Sequence, residues 1–297
     1  MLKIPSKPLS NLFDSFRSPF PFSTTMSQLK KEPPSKKRLS NLYSPYFLRL
    51  IQIVYGTDDI LSQGGVESVE VMFSGIDLSK KKLLEVGSGF GGVATYLASQ
   101  HDVKIIGVDS EPYMVMQANR MLENKRGLKK DQVTFRTLSE PFSLREFPTH
   151  SFDLVYHKEM LYHVPVAKKQ EYIDEMFRVL KPGGNLVIAD WVQGTPILGK
   201  YLKRAIKVDG FVQVVTVEEY LSILQKANFQ DITFKNVTSD HIEYSKHDIS
   251  RMKNSEALIR QELGNDAYTS NFLSWNQWLE AQEQDELAAG VFIGSKN

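Results

Sequence analysis

Cysteine is absent from the 297 residues of this chain. Disulfide bonds and thiolate metal sites are therefore excluded, no metal site is predicted, and a reducing compartment such as the cytoplasm is the expected location. No apolar run reaches the roughly 18 residues that span a bilayer, because the longest candidate, 47–55, is interrupted by Arg49 and Gln52. An excess of positive charge is also missing, since the net charge is +1, and no nucleic-acid partner is expected.

Regular patterning is missing from residues 1–40, which are rich in proline and serine and carry more basic than acidic residues. Such a composition predicts a disordered basic arm. Three roles stay open for this arm: organelle targeting by residues 1–25, weak contact of residues 30–38 with an anionic membrane surface, or a solvated tail.

From residue 41 onward, apolar strands alternate with helical patterns. This alternation predicts a parallel sheet with helices on both faces. We expect N-terminal lid helices over 41–75, a doubly wound domain over 76–297, and a helical insertion at about 239–287. Strands are expected near 82–86, 103–109, 132–137, 152–156, 185–191, 230–237 and 289–295. Helices are expected near 42–55, 66–74, 91–99, 112–124, 167–179, 196–208, 216–227, 243–262 and 269–286. A turn is expected at 181–184, between the helix at 167–179 and the fifth strand.

The most informative segment is 83–92, which reads LLEVGSGFGG. A buried strand leads into a glycine turn that opens a helix, and Asp109 closes the next apolar strand. Gly87 and Gly89 allow backbone N–H groups to approach a ligand, and a helix N-terminus favours a negative group. An acid at the tip of the second strand can accept hydrogen bonds from the two ribose hydroxyls. The pattern therefore predicts a nucleoside site.

Three further features favour S-adenosylmethionine over a dinucleotide. Glu85 precedes the glycines, where an acid would repel a pyrophosphate but suits the ammonium of a methionine moiety. A fourth strand at 152–156 follows the loop 148–151, and the phrase FRVLKPGG at 177–184 leads into the fifth strand. Over residues 82–191 the chain resembles class I S-adenosylmethionine-dependent methyltransferases. That resemblance implies a Rossmann-like methyltransferase fold, α/β, with a seven-stranded, mostly parallel sheet whose last strand is antiparallel.

The resemblance also implies roles for particular residues. Glu85 and Gly87 would hold the methionine end of the cofactor, Asp109 the ribose, and Ser110 would lie beside the adenine. Glu140, in the loop after the third strand, would meet the adenine amine. The glycines could instead serve only helix–strand packing, and Ser110 could cap the next helix.

A narrower resemblance concerns residues 55–65, which read YGTDDILSQGG. They are similar to the segment ahead of the first strand in phosphoethanolamine N-methyltransferases, with one extra residue between Gly56 and Gly64. Residues 216–220 and 290–292 show similar echoes of that family. In the family an aliphatic residue and a serine of the segment touch the cofactor, which implies the same for Leu61 and Ser62. The residues assigned to the cofactor are Leu61, Ser62, Glu85, Gly87, Gly89, Asp109, Ser110, Glu140 and Lys158.

The same resemblance implies a catalytic Tyr–His pair. Counting back from Gly56 gives Tyr43 as the tyrosine. The histidine of the family lies four residues after an acid that follows the fourth strand. Here that acid is Glu159 and the histidine is His163. In-line methyl transfer requires alignment of nucleophile, methyl and sulfur, and the nucleophile must lose a proton. An imidazole can carry that proton near neutral pH. We expect Glu159 and His163, at i and i+4, to share a helical face, although His163 could be only a helix-end residue.

The phosphate-binding residues of that family are missing. Its tyrosines, arginine and lysine correspond here to Trp191, Ile206, Gly210, Val212 and Trp278. None of these can hold a phosphate dianion, and burying such a charge unpaired is costly. Trp191 and Trp278, together with Tyr162, could surround an alkylammonium through cation–π contacts, line a pocket for an apolar substrate, or serve packing only.

The sequence therefore favours an S-adenosylmethionine-dependent methyltransferase that N-methylates a small or lipid-borne amine. The alternative is C- or O-methylation of a hydrophobic quinone, sterol-like or natural-product substrate. A non-catalytic cofactor- or partner-binding module is the third interpretation. The sequence makes no prediction of the oligomeric state.

Overall fold

A computed structural model describes residues 44–125, 127–129, 131–209 and 212–297. The predicted basic arm and Tyr43 lie outside these residues. All the elements below belong to the unit Pro45–Asn297.

A sheet of seven strands lies at the centre of the fold. In chain order the strands are β1 Lys82–Val86, β2 Lys104–Asp109, β3 Val133–Thr137, β4 Phe152–Lys158, β5 Leu180–Gln193, β6 Gln230–Asn236 and β7 Leu287–Ser295. They pair in the order β3-β2-β1-β4-β5-β7-β6. Strands β1 to β5 pair in parallel, whereas β7 is antiparallel to both of its neighbours. The predicted mostly parallel sheet with an antiparallel last strand is confirmed.

Helices cover both faces of this sheet. They are α1 Pro45–Tyr55, α2 Gly65–Phe73, α3 Gly92–Gln100, α4 Pro112–Asn124, α5 Val166–Val179, α6 Lys200–Asp209, α7 Val217–Lys226, α8 Thr238–Asn254, α9 Glu256–Leu263 and α10 Asn265–Glu283. Side chains of α2, α3 and α4 pack into the apolar core on one face, and those of α5 and α7 pack into the core on the other. No helix among the described residues is long and apolar enough to cross a membrane.

Strand β1 shows why the central strands read as continuous apolar runs. Leu83 and Leu84 are both fully buried, and they lie in the cores on opposite faces of the sheet. A strand that is buried on both faces has no solvent side on which polar residues would alternate.

The strand order reverses between β1 and β4, since β2 and β3 lie on one side of β1 and β4 and β5 on the other. In open α/β sheets, ligands bind outside the carboxyl ends of the strands at such a switch point. The carboxyl ends of β1, β2 and β4 are Val86, Asp109 and Lys158. The predicted site residues that follow these strands therefore belong to the edge of the sheet where a ligand is expected.

Three boundaries differ from the sequence prediction. The turn predicted at 181–184 lies inside β5 as a bulge, because Phe152 pairs with Leu180 and Leu154 with Asn185. The helix predicted at 243–262 is two helices, α8 and α9, separated at Ser255. The helix predicted at 196–208 begins only at Lys200. Local propensity does not fix the bulge in β5, which depends on pairing with β4.

Candidate active site

The glycine turn after β1 adopts a conformation that ordinary residues rarely take. Gly87, Gly89 and Gly91 have φ values of 76°, 51° and 77°. A Cβ at Gly91 would lie 2.2 Å from the ring of Phe135, so this position also needs the smallest residue for packing. The turn is tied to β2, because the Gly87 and Ser88 N–H groups donate to the Val108 carbonyl at 2.8 and 2.9 Å. The predicted turn that opens a helix is confirmed.

Asp109, at the tip of β2, braces this turn. Its Oδ2 accepts a hydrogen bond from the Gly89 N–H at 3.0 Å, and its Oδ1 accepts one from the Glu111 N–H at 2.9 Å. Burial raises the pKa of Asp109 to about 6, although both of these N–H groups favour the ionised form. The structure thus brings Asp109 and Gly89 together, as the nucleoside-site prediction requires.

Glu85 lies deeper than the glycine turn, at 3% exposure. Burial raises the pKa of Glu85 well above its usual range, and the charge of Asp109 adds to this effect. Neither Glu85 Oε2 nor the neighbouring Tyr156 hydroxyl has a well-formed hydrogen bond among the described residues. A buried acceptor of this kind suits a site whose remaining partner belongs to a ligand.

The connection between α1 and α2 covers the glycine turn. A Cβ at Gly92 would lie 2.5 Å from the backbone oxygen of Asp59, and one at Gly89 would lie 3.6 Å from Leu61 Cδ1. Ser62 follows and is 6% exposed. The structure therefore places Leu61 beside the cofactor turn and Ser62 in the same covering segment, as the narrower resemblance implies.

Gln63 joins this covering segment to α8 and to the end of β4. Its side-chain amide donates to Asp248 Oδ2 at 3.0 Å and to Ser245 at 3.2 Å. Its backbone oxygen accepts from Lys158 Nζ at 3.1 Å. The sequence analysis did not single out Gln63, since only the fold reveals partners so far along the chain.

The prediction that Glu159 and His163 share a helical face is wrong. Glu159 has a φ of 51°, and its N–H donates to the Ala189 carbonyl at 2.7 Å, so it continues the pairing of β4 with β5. Only Leu161–His163 is helical, as one 3₁₀ turn. Sheet pairing thus overrides the helical spacing that the sequence suggested.

Glu159 is a buried, ionised carboxylate. Burial alone would raise its pKa, but Lys158 and His241 outweigh burial and lower the pKa of Glu159 to about 2. Lys158 Nζ lies 2.5 Å from Glu159 Oε1, and His241 Nε2 lies 3.9 Å from the same oxygen. Lys158 therefore contacts Glu159 and the covering segment, while its role at the cofactor stays a prediction.

The 3₁₀ turn lies against the glycine turn. A Cβ at Gly87 would lie 2.4 Å from Met160 Cγ, so Met160 fills the space that this glycine leaves. The ring of His163 contacts that of Tyr162, with centroids 3.8 Å apart and the planes tilted by 37°. The turn that carries His163 thus packs directly beside the predicted cofactor site.

The three predicted acceptor-site aromatics share one apolar cluster. Trp191 is buried in the core on the α2 and α3 face, and Tyr162 and Trp278 pack against that core. The ring of Trp191 meets His241 edge-on with centroids 4.9 Å apart. His241, which the sequence analysis did not identify, therefore links Trp191 to Glu159.

Ser110 and Glu140 lie at the edge of the site. Ser110 is not a helix cap, because the N-cap of α4 is Glu111. Glu140 is exposed, in a loop that begins where the Leu138 N–H donates to the Asp109 carbonyl at 2.9 Å. Both residues thus follow a strand that ends at the site, and their contacts with adenine stay predictions.

The fold, the glycine turn and the braced acid define the class I S-adenosylmethionine-dependent methyltransferase fold. Residues 84–188 match the methyltransferase domain family, in agreement with the resemblance seen in the sequence.

Known proteins similar to half or more of the chain agree with this fold. The phosphoethanolamine N-methyltransferase of Triticum aestivum is 27% identical over 80% of this chain and 45% of its own length. A sterol 24-C-methyltransferase of Aspergillus fumigatus is 30% identical over 50% of this chain and 40% of its own length. The chain thus spans less than half the length of either relative. The solved structure of Haemonchus contortus phosphoethanolamine N-methyltransferase 2, with phosphomonomethylethanolamine and S-adenosylhomocysteine, matches with a TM-score of 0.76 at 21% identity, covering 86% of this chain and 58% of that one.

Proposed function

We propose that this protein is an S-adenosylmethionine-dependent methyltransferase that methylates the nitrogen of a small or lipid-borne amine lacking a phosphate. The cofactor supplies a methyl group on a positively charged sulfur. The observation that carries the cofactor assignment is the bracing of the Gly89 N–H by Asp109 at 3.0 Å, at the switch point of the sheet.

The residues present fit this cofactor. The glycine turn would let backbone N–H groups approach it, Asp109 would accept hydrogen bonds from the ribose hydroxyls, and the buried Glu85 would serve the methionine ammonium. Leu61, which lies beside Gly89, and Ser62 would cover it from the α1–α2 connection. Because the covering segment and the glycine turn enclose the site, water is kept away from the transferring methyl group.

Two observations support nitrogen as the acceptor atom: the negative charge of Glu159 and the similarity to an N-methyltransferase. Glu159 stays ionised at neutral pH, since its pKa is about 2. It lies beside His241, whose ring contacts that of Trp191. A carboxylate beside aromatic rings suits an alkylammonium. The similarity to a phosphoethanolamine N-methyltransferase extends over 80% of the chain.

The apolar residues at the positions that bind phosphate in the resembling family argue against a phosphate on the acceptor. Trp191 and Val212 are buried and apolar, and Trp278 packs against the same core as Trp191. A phosphate dianion at these positions would lose its hydration without gaining a cationic partner.

Proton removal falls to His163, with Tyr43 as its partner. The 3₁₀ turn holds His163 beside the glycine turn through Met160. An amine becomes a nucleophile only after it loses its proton, and an imidazole on this turn can accept that proton. Tyr43 would close the site from the segment ahead of α1.

C-methylation of an apolar acceptor is the second candidate. It is favoured by the match to a sterol 24-C-methyltransferase over 50% of this chain and by the apolar residues at the positions that bind phosphate in the resembling family. Such an acceptor would use the aromatic cluster for apolar contact and would not need Glu159.

A methyl-transfer screen with labelled S-adenosylmethionine tests the proposed function. The acceptors are ethanolamine, phosphoethanolamine, glycine derivatives, aminolipids, quinone precursors and sterols, with Asp109→Ala as the cofactor-deficient control. We expect label in an amine without phosphate and none with the variant. Transfer to phosphoethanolamine alone would overturn the exclusion of a phosphate, and transfer to sterols or quinone precursors alone would overturn the assignment of a nitrogen acceptor.

A further inference from the structure

A cluster of four buried polar side chains lies beneath the site on the face of the sheet covered by α5 and α7. Its members are His157, Lys169, Asp190 and Tyr220, which are 0%, 1%, 3% and 1% exposed. We call this set the anchor cluster. None of these residues was singled out from the sequence, because each one stands alone in an otherwise apolar strand or helix face.

The ammonium of Lys169 is the member that reaches the site. Lys169 Nζ donates to the backbone oxygen of Leu161, the first residue of the 3₁₀ turn that carries Tyr162 and His163. A lysine is almost never fully buried without a partner. Its burial therefore indicates that the hydrogen bond to Leu161 has a structural purpose.

Asp190 is the member that favours the charged form of Lys169. Burial lowers the pKa of Lys169, and the negative charge of Asp190 opposes this change. Asp190 Oδ2 accepts from the Tyr220 hydroxyl at 3.0 Å, and Asp190 Oδ1 accepts from the Trp191 N–H at 2.9 Å. Burial lowers the pKa of His157 to about 3, so His157 stays neutral and adds no second positive charge.

Burial and backbone hydrogen bonds also hold the turn, since Leu161 and Val164 are fully buried. Within it, the His163 N–H donates to the Met160 carbonyl at 3.0 Å and the Val164 N–H to the Leu161 carbonyl at 2.9 Å. The Gln213 N–H donates to the Tyr162 carbonyl at 2.7 Å. Lys169 is thus the side chain that ties the start of the turn to the body of the sheet.

We propose that Lys169 is a positioning residue that, through its hydrogen bond to the Leu161 carbonyl, fixes the Leu161–His163 turn and thereby the position of His163. Tyr220 lies in the core on the opposite face of the sheet from Trp191, and Lys169 acts on the site through the backbone of the turn. The link to catalysis depends on the proposed function, whereas the structural effect on the turn does not.

Hydrogen exchange of the full chain tests this effect without an acceptor. The variant is Lys169→Met, which keeps the length and apolar stem of the side chain but removes the donor. The matched control is Lys168→Met on the same helix, where the lysine is 56% exposed and pairs with Glu171. We expect the amides of His163 and Val164 to exchange at least tenfold faster in Lys169→Met, with β4 amides and S-adenosylmethionine affinity unchanged. Equal exchange in the two variants would overturn the proposal.

A second pair of variants separates positioning from stability. Asp190→Asn removes the negative charge that favours the charged form of Lys169, which should lower the melting temperature. Adding Lys169→Met removes the buried positive charge itself, so the double variant should melt above Asp190→Asn but keep the fast exchange at His163. Recovery of slow exchange together with the melting temperature would show that Lys169 only stabilises the core.

Turnover provides the last readout once the screen has identified an acceptor. Lys169→Met should lower kcat at least tenfold with little change in KM for S-adenosylmethionine, and Lys168→Met should match the unmodified chain. Wild-type kcat in Lys169→Met would contradict the positioning role. If the unmodified chain methylates nothing, the proposed function fails, but the exchange result still decides whether Lys169 fixes the turn.

Discussion

Asp109 Oδ2 accepts a hydrogen bond from the Gly89 N–H at 3.0 Å. This contact joins the tip of β2 to the turn after β1, so two short motifs that are separated by α3 act as one unit. An acid that already orients the turn is also placed to receive the hydroxyls of a ribose. The relationship explains why neither the glycines nor the acid alone identifies the site.

Replacing Gly89 by alanine should weaken cofactor binding more than it weakens the fold. Gly89 has a φ of 51°, and a Cβ there meets only Leu61, at 3.6 Å, and Met114, at 3.9 Å. The backbone strain should cost about 1–2 kcal/mol of stability. Because the new methyl group faces the predicted cofactor, calorimetry should show S-adenosylmethionine affinity reduced at least tenfold.

Gly75→Ala is the matched control for this effect. Gly75 also has a positive φ, at 79°, and a Cβ there would have no neighbour within 4 Å among the described atoms. The two variants should lose similar stability in thermal melts. Equal cofactor affinity in both would mean that the cofactor does not approach Gly89.

Cofactor affinity should depend on pH through Asp109. Burial raises the pKa of Asp109 from 3.8 to about 6, and only the ionised carboxylate accepts from both ribose hydroxyls. Affinity should therefore be complete above about pH 7 and fall by up to tenfold per unit as the pH drops below 6. Calorimetry between pH 5 and 8 measures this change.

The effect of Asp109 on stability should have the opposite sign. Since its folded pKa lies above the unfolded value, ionisation disfavours the folded state, and this cost is relieved as the pH falls through 6.

Asp109→Asn should bind the cofactor weakly at every pH, without the pH dependence of affinity that the unmodified chain shows. The control is Asp248→Asn, because burial raises the pKa of Asp248 to about 7 as well. This variant should keep the pH dependence of cofactor affinity. If the dependence disappears in Asp248→Asn, it arises from Asp248 and not from Asp109.

His163→Ala should lower kcat at least tenfold while cofactor affinity stays within twofold. General acid–base catalysis by one group contributes about a hundredfold or more, whereas the cofactor is held by the glycine turn and Asp109. The exposed His247 provides the control, as His247→Ala should leave kcat unchanged. A wild-type kcat in His163→Ala would remove His163 from the reaction.

Substitutions at Trp191 should distinguish a cationic acceptor from an apolar one. Trp191→Phe keeps an aromatic face and Trp191→Leu does not. For an alkylammonium, the loss of about 0.5–2 kcal/mol of cation–π attraction should raise the acceptor KM severalfold in Trp191→Leu more than in Trp191→Phe. Similar KM values in the two variants would favour the apolar acceptor.

The sheet and the cofactor turn could be predicted from the sequence because their signals are local. Glycines at fixed spacing after a buried strand, and an acid at the end of the next one, are adjacent along the chain. The resemblance to a known family pointed to Leu61 as a cofactor contact, but its position beside Gly89 was not predicted, since no local pattern links the two residues.

The surroundings of Glu159 could not be predicted in the same way. Its spacing to His163 suggested a helix, but a hydrogen bond to Ala189 in another strand fixed the backbone. The side-chain partners of Gln63 likewise come from a helix distant in the chain. Such contacts depend on the tertiary fold, which a single sequence does not reveal.

The most direct test of the cofactor site is calorimetry of S-adenosylmethionine with Asp109→Ala. The matched control is Asp102→Ala, which removes an exposed acid that pairs with Lys129 at 2.7 Å ahead of the same strand. We expect no measurable binding to Asp109→Ala and unchanged affinity in Asp102→Ala. Unchanged affinity in a folded Asp109→Ala variant would contradict the assignment of this site to S-adenosylmethionine.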